Sequence, residues 1–346
     1  MTRYQHLDAL RGLSILFVIL YHTYARWPEH LPAIEVTKEL VFFKYGYLGV
    51  NVFFMISGFV IFLSLDKSKS FIDFLKKRWS RLFPAMIISS VVILFLSVIF
   101  PMRPHGSPEL LDIIPGIFFI NHNIINISFG TEIKSLEGSF WSLYVEVFFY
   151  IITGLLYFFI GRKWLLPCLI FIALMSSLLI TISDELVIHK IVYGFGFNFY
   201  FWFCFGCYLY ERINNRSSRL YTFTLCITFS LMLISESIYL QKGLILVCLC
   251  GLFYFSFYVL TIRKFLSNSL FLYLGMISYP LYLIHENTII AILRQSYVFF
   301  DDFNGFIFTI MSAISIIFMV LIARMIEVFE VKATFWLRNF EETDEN

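Results

Sequence analysis

The sequence predicts an all-α fold, a polytopic integral membrane helical bundle of about ten transmembrane helices with both termini cytoplasmic. Three observations predict it. Hydrophobic residues are 59% of the 346 and charged residues 14%, with a mean hydropathy of +0.80, whereas a soluble domain is about half apolar and about a quarter charged. Uncharged runs such as Tyr45 to Leu65, Leu82 to Met102, Gly243 to Ile262 and Phe303 to Ala323 match the length of about 20 residues that a spanning helix needs. Lysine and arginine, finally, sort by loop.

Apolar runs read against loop punctuation place helices at 8–26, 46–65, 82–101, 139–160, 164–182, 193–210, 219–236, 243–262, 270–293 and 305–325. Loops after the even-numbered helices, with Arg219 at their margin, hold 13 Lys and Arg. The longer loops after odd-numbered helices, with Arg26, hold 8. Cytoplasmic loops carry the excess, so both termini fall inside and the 102–138 connection outside. The stretch from Ile113 to Ile127 is broken by Asn121, His122, Asn123 and Asn126 and reads as re-entrant or interfacial. Segment 66–81 sets Phe71, Phe74, Leu75 and Trp79 on one face with Lys69, Lys76, Lys77 and Arg78 around it, which suits a helix lying on the inner leaflet. Residues 1–340 read as a single membrane domain, and the acidic end at 341–346 as a short disordered tail.

The first helix is expected to stay as an uncleaved anchor, since its apolar run ends at Arg26-Trp27-Pro28 without a small-residue cleavage pattern. A net charge of +2 spread in short clusters argues against nucleic acid. The six cysteines all lie in apolar runs, which argues against a disulfide framework or zinc site. Cys204 and Cys207 read as packing residues. No metal site and no permanently bound cofactor is expected.

Chemistry concentrates in a few places. The 14 residues from Gly12 to Ala25 cover about 21 Å as a helix, too short for a hydrocarbon core of about 30 Å. Asp8 and Arg11 are therefore drawn into the membrane margin, where ionisable groups are rare and usually functional. Eleven residues make about three turns, so Arg11 and His22 share a face, separated by about 16 Å. Arg11 can also serve as an anchor paired with Asp8, and His22 as a buried histidine bonded to a neighbouring helix. As chemistry, His22 offers a general base for an attacking hydroxyl.

Glu146, about seven residues into its helix, has a depth similar to that of His22, which makes it the expected carboxylate partner; neighbouring Trp141, Ser142 or tyrosines could satisfy it instead. Arg78 and Arg81, one turn apart, offer guanidinium forks suited to phosphate or, more plainly, anchorage to anionic lipid. Pro280 is expected to kink a helix that carries Tyr282, His285 and Glu286. Asn51, Ser57 and Gly58 read as close packing or pocket lining.

Four blocks carry a resemblance: Leu7-Asp8-Ala9-Leu10-Arg11-Gly12-Leu13 with His22 following, Phe53-Phe54-Met55-Ile56-Ser57-Gly58-Phe59, Arg78-x-x-Arg81-Leu82-Phe83-Pro84, and Trp141-Ser142-Leu143-x-x-Glu146. Ser278-Tyr279-x-Leu281-Tyr282-Leu283-Ile284-His285 supports them. Together the chain resembles the acyltransferase-3 family of integral membrane O-acyltransferases over nearly its whole length. The resemblance implies transfer of an acyl group, usually acetyl, from cytoplasmic acyl-coenzyme A to a hydroxyl of an extracytoplasmic glycan or lipid-linked sugar, as in O-antigen, capsule or exopolysaccharide modification. It implies a multi-pass protein of the bacterial inner membrane, with membrane lipid, acyl-CoA and the glycan as partners. Arg11 and His22 would be the motif residues required for transfer, and Arg78 and Arg81 the motif near the donor. Some members carry an SGNH-type domain after the membrane part; this sequence runs to Asn346 without one, so the membrane domain is expected to act alone or with a separate partner. Direct transfer with His22 as base and a covalent acyl-histidine both remain open. From a different class, a transporter or flippase of a lipid-linked sugar or small anion would use the same buried charges as a pathway, though no inverted repeat is evident.

Overall fold

Apolar runs with no water to bond must satisfy their backbone internally, and helices do so. In a computed structural model describing residues 4–183, 186–216, 218–235, 240–300 and 303–344, the chain is helical and, among the described residues, without strands. The principal helices are α1 (Gln5–Tyr24), α2 (Gly49–Leu65), α3 (Phe71–Ile99), α4 (Trp141–Leu155), α5 (Arg162–Ile182), α6 (Tyr200–Ile213), α7 (Arg219–Ser235), α8 (Leu240–Tyr258), α9 (Ser269–Met276), α10 (Ser278–Phe299) and α11 (Gly305–Asp344). Hydroxyls inside them turn back on their own helix: Ser14 donates to the Leu10 carbonyl at 2.7 Å, Ser90 to Met86 at 2.8 Å and Thr228 to Thr224 at 2.8 Å. That is how an apolar helix buries a polar residue without a partner elsewhere.

Among the described residues, six helical stretches are long and apolar enough to cross a membrane: Gly46–Leu65, Phe71–Ile99, Gly138–Ile160, Arg162–Ile182, Leu240–Tyr258 and Gly305–Lys332. Two bent pairs among the described residues bring the number to at most eight by length and composition, against the ten expected. The shortfall has local reasons. Helix α1 carries Asp8 and Arg11 within its length, α6 is only 14 residues long, and the apolar part of α7 falls below span length. Segment 71–81 is not a separate surface helix but the first third of the 29-residue α3, which continues through Pro84. The Ile113–Ile127 region is a bent pair, Leu110–Phe118 and His122–Phe129, at 111°. Asn121 turns the chain there, its side chain accepting the Asn123 N–H at 2.9 Å. The expected 270–293 helix is likewise two, α9 and α10, bent by 78°. The break falls at Ile277 and places Pro280 in the first turn of α10, where a missing N–H costs nothing.

The chain forms two compact units, residues 1–49, 79–144 and 268–346 in the first, 50–78 and 145–267 in the second. In the first, α1 packs along α9 and α10, and α10 along α11. The α1–α9 contact is close because both sides lack a side chain: a Cβ on Gly12 would fall on the Phe271 carbonyl oxygen, and one on Gly275 on that of Asp8. In the second, α5 packs on α6 and α7, and Phe149 stacks on Phe203 at 4.1 Å with Phe54 on the same ring at 4.6 Å. Its own glycine pair, Gly58 against Phe203 and Gly206 against Met55, brings α2 and α6 together, as Gly58 in the sequence suggested.

Candidate active site

Arg11 and His22 lie on α1 as helical arithmetic requires. Arg11 donates to Asp8 at 3.0 Å, the i+3 pairing expected. His22, whose side chain is 12% exposed, sets Nδ1 3.6 Å from Oε1 of Glu286. Its ring also meets the ring of His285 edge-on, centroids 5.0 Å apart. His285 is fully buried, and its Nδ1 lies 2.9 Å from the Tyr282 carbonyl oxygen. A carbonyl only accepts, so Nδ1 carries the hydrogen and the lone pair sits on Nε2, a buried atom without a hydrogen-bond partner among the described residues. Two imidazoles and one carboxylate thus meet where α1 faces α10.

The carboxylate that meets His22 is therefore Glu286. Glu146, expected there from its depth, lies in the second unit and accepts hydrogen bonds from the Ser57 and Tyr150 hydroxyls. Tyr150 in turn accepts from Arg78 Nη2 at 3.1 Å, and the Arg78 guanidinium lies 4.8 Å from the ring centroid. Arg78 is buried, and among the described residues its Nε has no hydrogen-bond partner. Ser57, Glu146, Tyr150 and Arg78 so form one chain of bonds that runs from a hydroxyl to a cation able to receive an anion. Arg81, one turn on, does not join it. It belongs to the first unit, is exposed, and faces Glu330 electrostatically.

Around Glu286 the bonding is reciprocal between two segments. The backbone N–H of Ser139, in the short turn that starts the Gly138–Ile160 span, donates to Glu286 Oε2, so a carboxylate from α10 caps the positive end of another helix. Glu137, which precedes that turn, accepts in return from the Asn287 N–H at 2.9 Å and Nδ2 at 2.6 Å. Arg103 Nη2 completes the set, 2.9 Å from Glu137 and 2.6 Å from the Leu136 carbonyl. The Asn287 side-chain oxygen accepts from the His105 N–H at 3.3 Å and its Nδ1 at 3.0 Å. One turn back along α10, Tyr282 donates to the Ser139 carbonyl at 3.0 Å and meets the Ser142 hydroxyl at 2.8 Å. Gly138 must be glycine here: a Cβ would lie 2.9 Å from both Glu286 oxygens and 2.8 Å from the His105 ring.

Of the sequence-predicted pocket residues, the structure brings Ser142, Tyr282 and His285 to the His22 side, and Ser57 to Glu146. Asn51 is buried in α2 and Trp141 is 38% exposed at the start of α4. Sequence reasoning passed over Glu137, Arg103, Asn287 and His105. The signal that was present is the run His285-Glu286-Asn287-Thr288 inside an apolar helix, four polar residues that burial makes costly unless bonded. A second charged cluster was also unseen: Arg162 pairs with Asp66 and with Glu211 at 2.6 Å, while Arg216 lies 3.2 Å from Asp66. It ties the ends of α2, α5 and α6 within the second unit.

A polytopic helical membrane protein with a buried histidine–carboxylate pair is the class these features define. A family model described as an acyltransferase domain matches residues 4–324, and the chain belongs to that family, the acyltransferase-3 family. Among its relatives, an O-acetyl transferase of Shigella phage Sf6 is 29% identical over 184 residues, 51% of this chain and 53% of that protein. Peptidoglycan O-acetyltransferase OatA of Listeria monocytogenes is 30% identical over 210 residues, 52% of this chain and 30% of the relative. O-acetyltransferase OatA of Staphylococcus aureus is 29% identical over 201 residues, with 54% and 30% covered. The chain thus spans about half the length of the phage protein and less than a third of either OatA. No solved structure matches it.

Proposed function

We propose that this protein is a membrane-bound O-acyltransferase of the bacterial inner membrane. In this reading it moves an acyl group, acetyl by the names of its relatives, from cytoplasmic acyl-CoA to a hydroxyl of an extracytoplasmic glycan or lipid-linked sugar. The observation that carries the reading is the His22–Glu286 contact with His285 beside it. An imidazole set beside a carboxylate, here at 3.6 Å, is the arrangement that can take the proton of an alcohol as it attacks a carbonyl. His22 takes the hydroxyl proton as the oxygen bonds to the acyl carbon, the thiolate leaves, and Glu286 stabilises the imidazolium that forms.

Arg78, and Arg81 after it, are proposed to meet the phosphates of coenzyme A on the inner side. The support is the buried guanidinium of Arg78, whose bonded partner is a neutral phenol rather than a carboxylate. Glu146, through Tyr150, would then set that guanidinium, and Arg11 would mark the inner end of the α1 face that His22 ends. The arrangement of lysine and arginine along the loops supports the sidedness.

The test is expression of the wild type, His22→Ala and Glu286→Gln in the native host lacking this gene, with base-labile esters measured on surface polysaccharide. Loss of a general base typically removes about 10²–10⁴-fold of rate, so both variants should leave esters near the deletion background. Restoration of esters by His22→Ala would sink the assignment.

A further inference from the structure

Glu137, Asn287 and Arg103 lie one layer behind the His22–Glu286 pair, and the way they are bonded is hard to reconcile with mere cohesion. Two segments exchange carboxylates: Glu286 takes the Ser139 N–H while Glu137 takes the N–H and side-chain amide of Asn287. Each carboxylate therefore fixes the backbone next to the other. Arg103, Glu137, Glu286 and Asn287 are all buried. Burying ion pairs repays its desolvation cost poorly, and an apolar contact of the same volume would join two helices at least as well. Retention of charge here points to the charge itself being used.

We infer that Glu137, held by Arg103 and bonded to Asn287, is a positioning residue that fixes the place and charge state of the Glu286 carboxylate beside His22. The inference rests on the acyltransferase reading only for its consequence, not for its geometry. Asn287 follows Glu286 directly, so the two bonds that Asn287 donates to Glu137, at 2.9 and 2.6 Å, limit how far α10 can rotate under His22. The Glu137 charge, neutralised on one side by Arg103, also bears on Glu286 electrostatically. His105, through the Asn287 oxygen, closes the layer on the loop side. The groups that face His22 and share its proton equilibria are Tyr21 on its own helix, Arg26 just beyond it, His285 and Glu286 on α10, and His105.

The experiment uses the full-length protein in detergent and two variants, Glu137→Gln and Asn287→Asp. Carbethoxylation of His22 by diethyl pyrocarbonate is followed by peptide mass spectrometry across pH 5 to 9, which reads the His22 imidazole without any substrate. Transfer from acetyl-CoA is followed over the same range in cells' membranes carrying the natural acceptor. Both variants should move the midpoint of His22 carbethoxylation by about half a pH unit or more, a change that a merely structural role would leave alone. The transfer rate should drop about tenfold or more, the scale of a weakened base. Asn287→Asp adds a discriminating feature: it sets two carboxyls against each other, and protonation relieves them, so its rate relative to wild type should recover as the medium is acidified. Superimposable His22 profiles for wild type and both variants overturn the inference, whatever happens to thermal stability. If Glu137→Gln does not fold, Asn287→Asp decides alone. A wild type without transfer activity would end the acyltransferase reading, while the carbethoxylation profiles would still decide the role of Glu137.

Discussion

At the residue scale, position along a helix was legible and partnership across helices was not. Arg11 and His22 follow from counting turns, and Arg11 meets Asp8 as i+3 neighbours do. Depth in the membrane is one coordinate of three, and Glu146 and Glu286 satisfy it alike as the carboxylate for His22. Which helix faces which is a tertiary fact, and it selects Glu286. The same packing gives His105, outside the spans, a testable titration. Burial, then the neighbouring Arg103, Arg26 and His30 charges, hold its imidazole below the ordinary histidine value, against the Asn287 bond that acts the other way. The folded chain thus binds that proton less readily than the unfolded one. Stability from this group is present above about pH 6.5 and is lost as pH falls through that value, because the unfolded state takes the proton first. His30 carries the same sign, through burial and Arg294. Amide exchange at His105, whose N–H is bonded to Asn287, should therefore quicken relative to intrinsic rates between pH 7.5 and 5.5. His105→Asn should flatten that dependence; an unchanged slope in the variant would assign it to another group.

At the element scale, the helices appear where apolar runs predicted them, and the differences fall at breaks and lengths, at Asn121 and Ile277 above all, not at the prolines. A proline inside a run reads as a kink, yet Pro84 is carried within the continuous α3 and Pro280 sits in the first turn of α10 after a full break at Ile277. Sequence cannot separate these cases, since a proline fits a first turn freely and a helix interior only when packing repays the lost bond. Glycine was the better guide. Gly58 permits close approach, and α2 does meet the backbone of α6 there, with Gly206 returning the contact. A methyl group on either has no flexible neighbour to displace, only backbone atoms. Overpacking of this kind costs about 1–3 kcal/mol, so Gly58→Ala should lower the unfolding temperature in detergent measurably, with Gly12→Ala doing the same at the α1–α9 contact. Gly305→Ala, which meets open space at the start of α11, is the matched control, and an equal loss there would refute the close-contact explanation.

At the scale of the whole molecule, composition alone fixed the solvent, and the structure's outer residues agree: Val98, Ile127, Phe159 and Phe306 are each at least 74% exposed, side chains that water would not tolerate in such number. The count of spans was less legible, because hydropathy windows score uncharged length. Helix α1 fails that test through its own Asp8 and Arg11, and it is the helix that carries His22. Buried charge thus lowers the score of a functional membrane helix even where its apolar run marks it. Loop charge offers an independent criterion, and it sets a concrete expectation for sidedness. Lys67 and Lys76, on the arginine-rich side of α3, should be cytoplasmic; Glu109 and Lys134, in the connection that bears Arg103 and Glu137, should be outside. Single cysteines at these four positions, in a background with Cys226 and Cys248 replaced because both are exposed, can be challenged in intact cells with a membrane-impermeant maleimide. Labelling confined to positions 109 and 134 would put the His22–Glu286 pair near the face where a surface glycan is presented. Labelling at 67 and 76 instead would invert the bundle and remove the proposed direction of transfer.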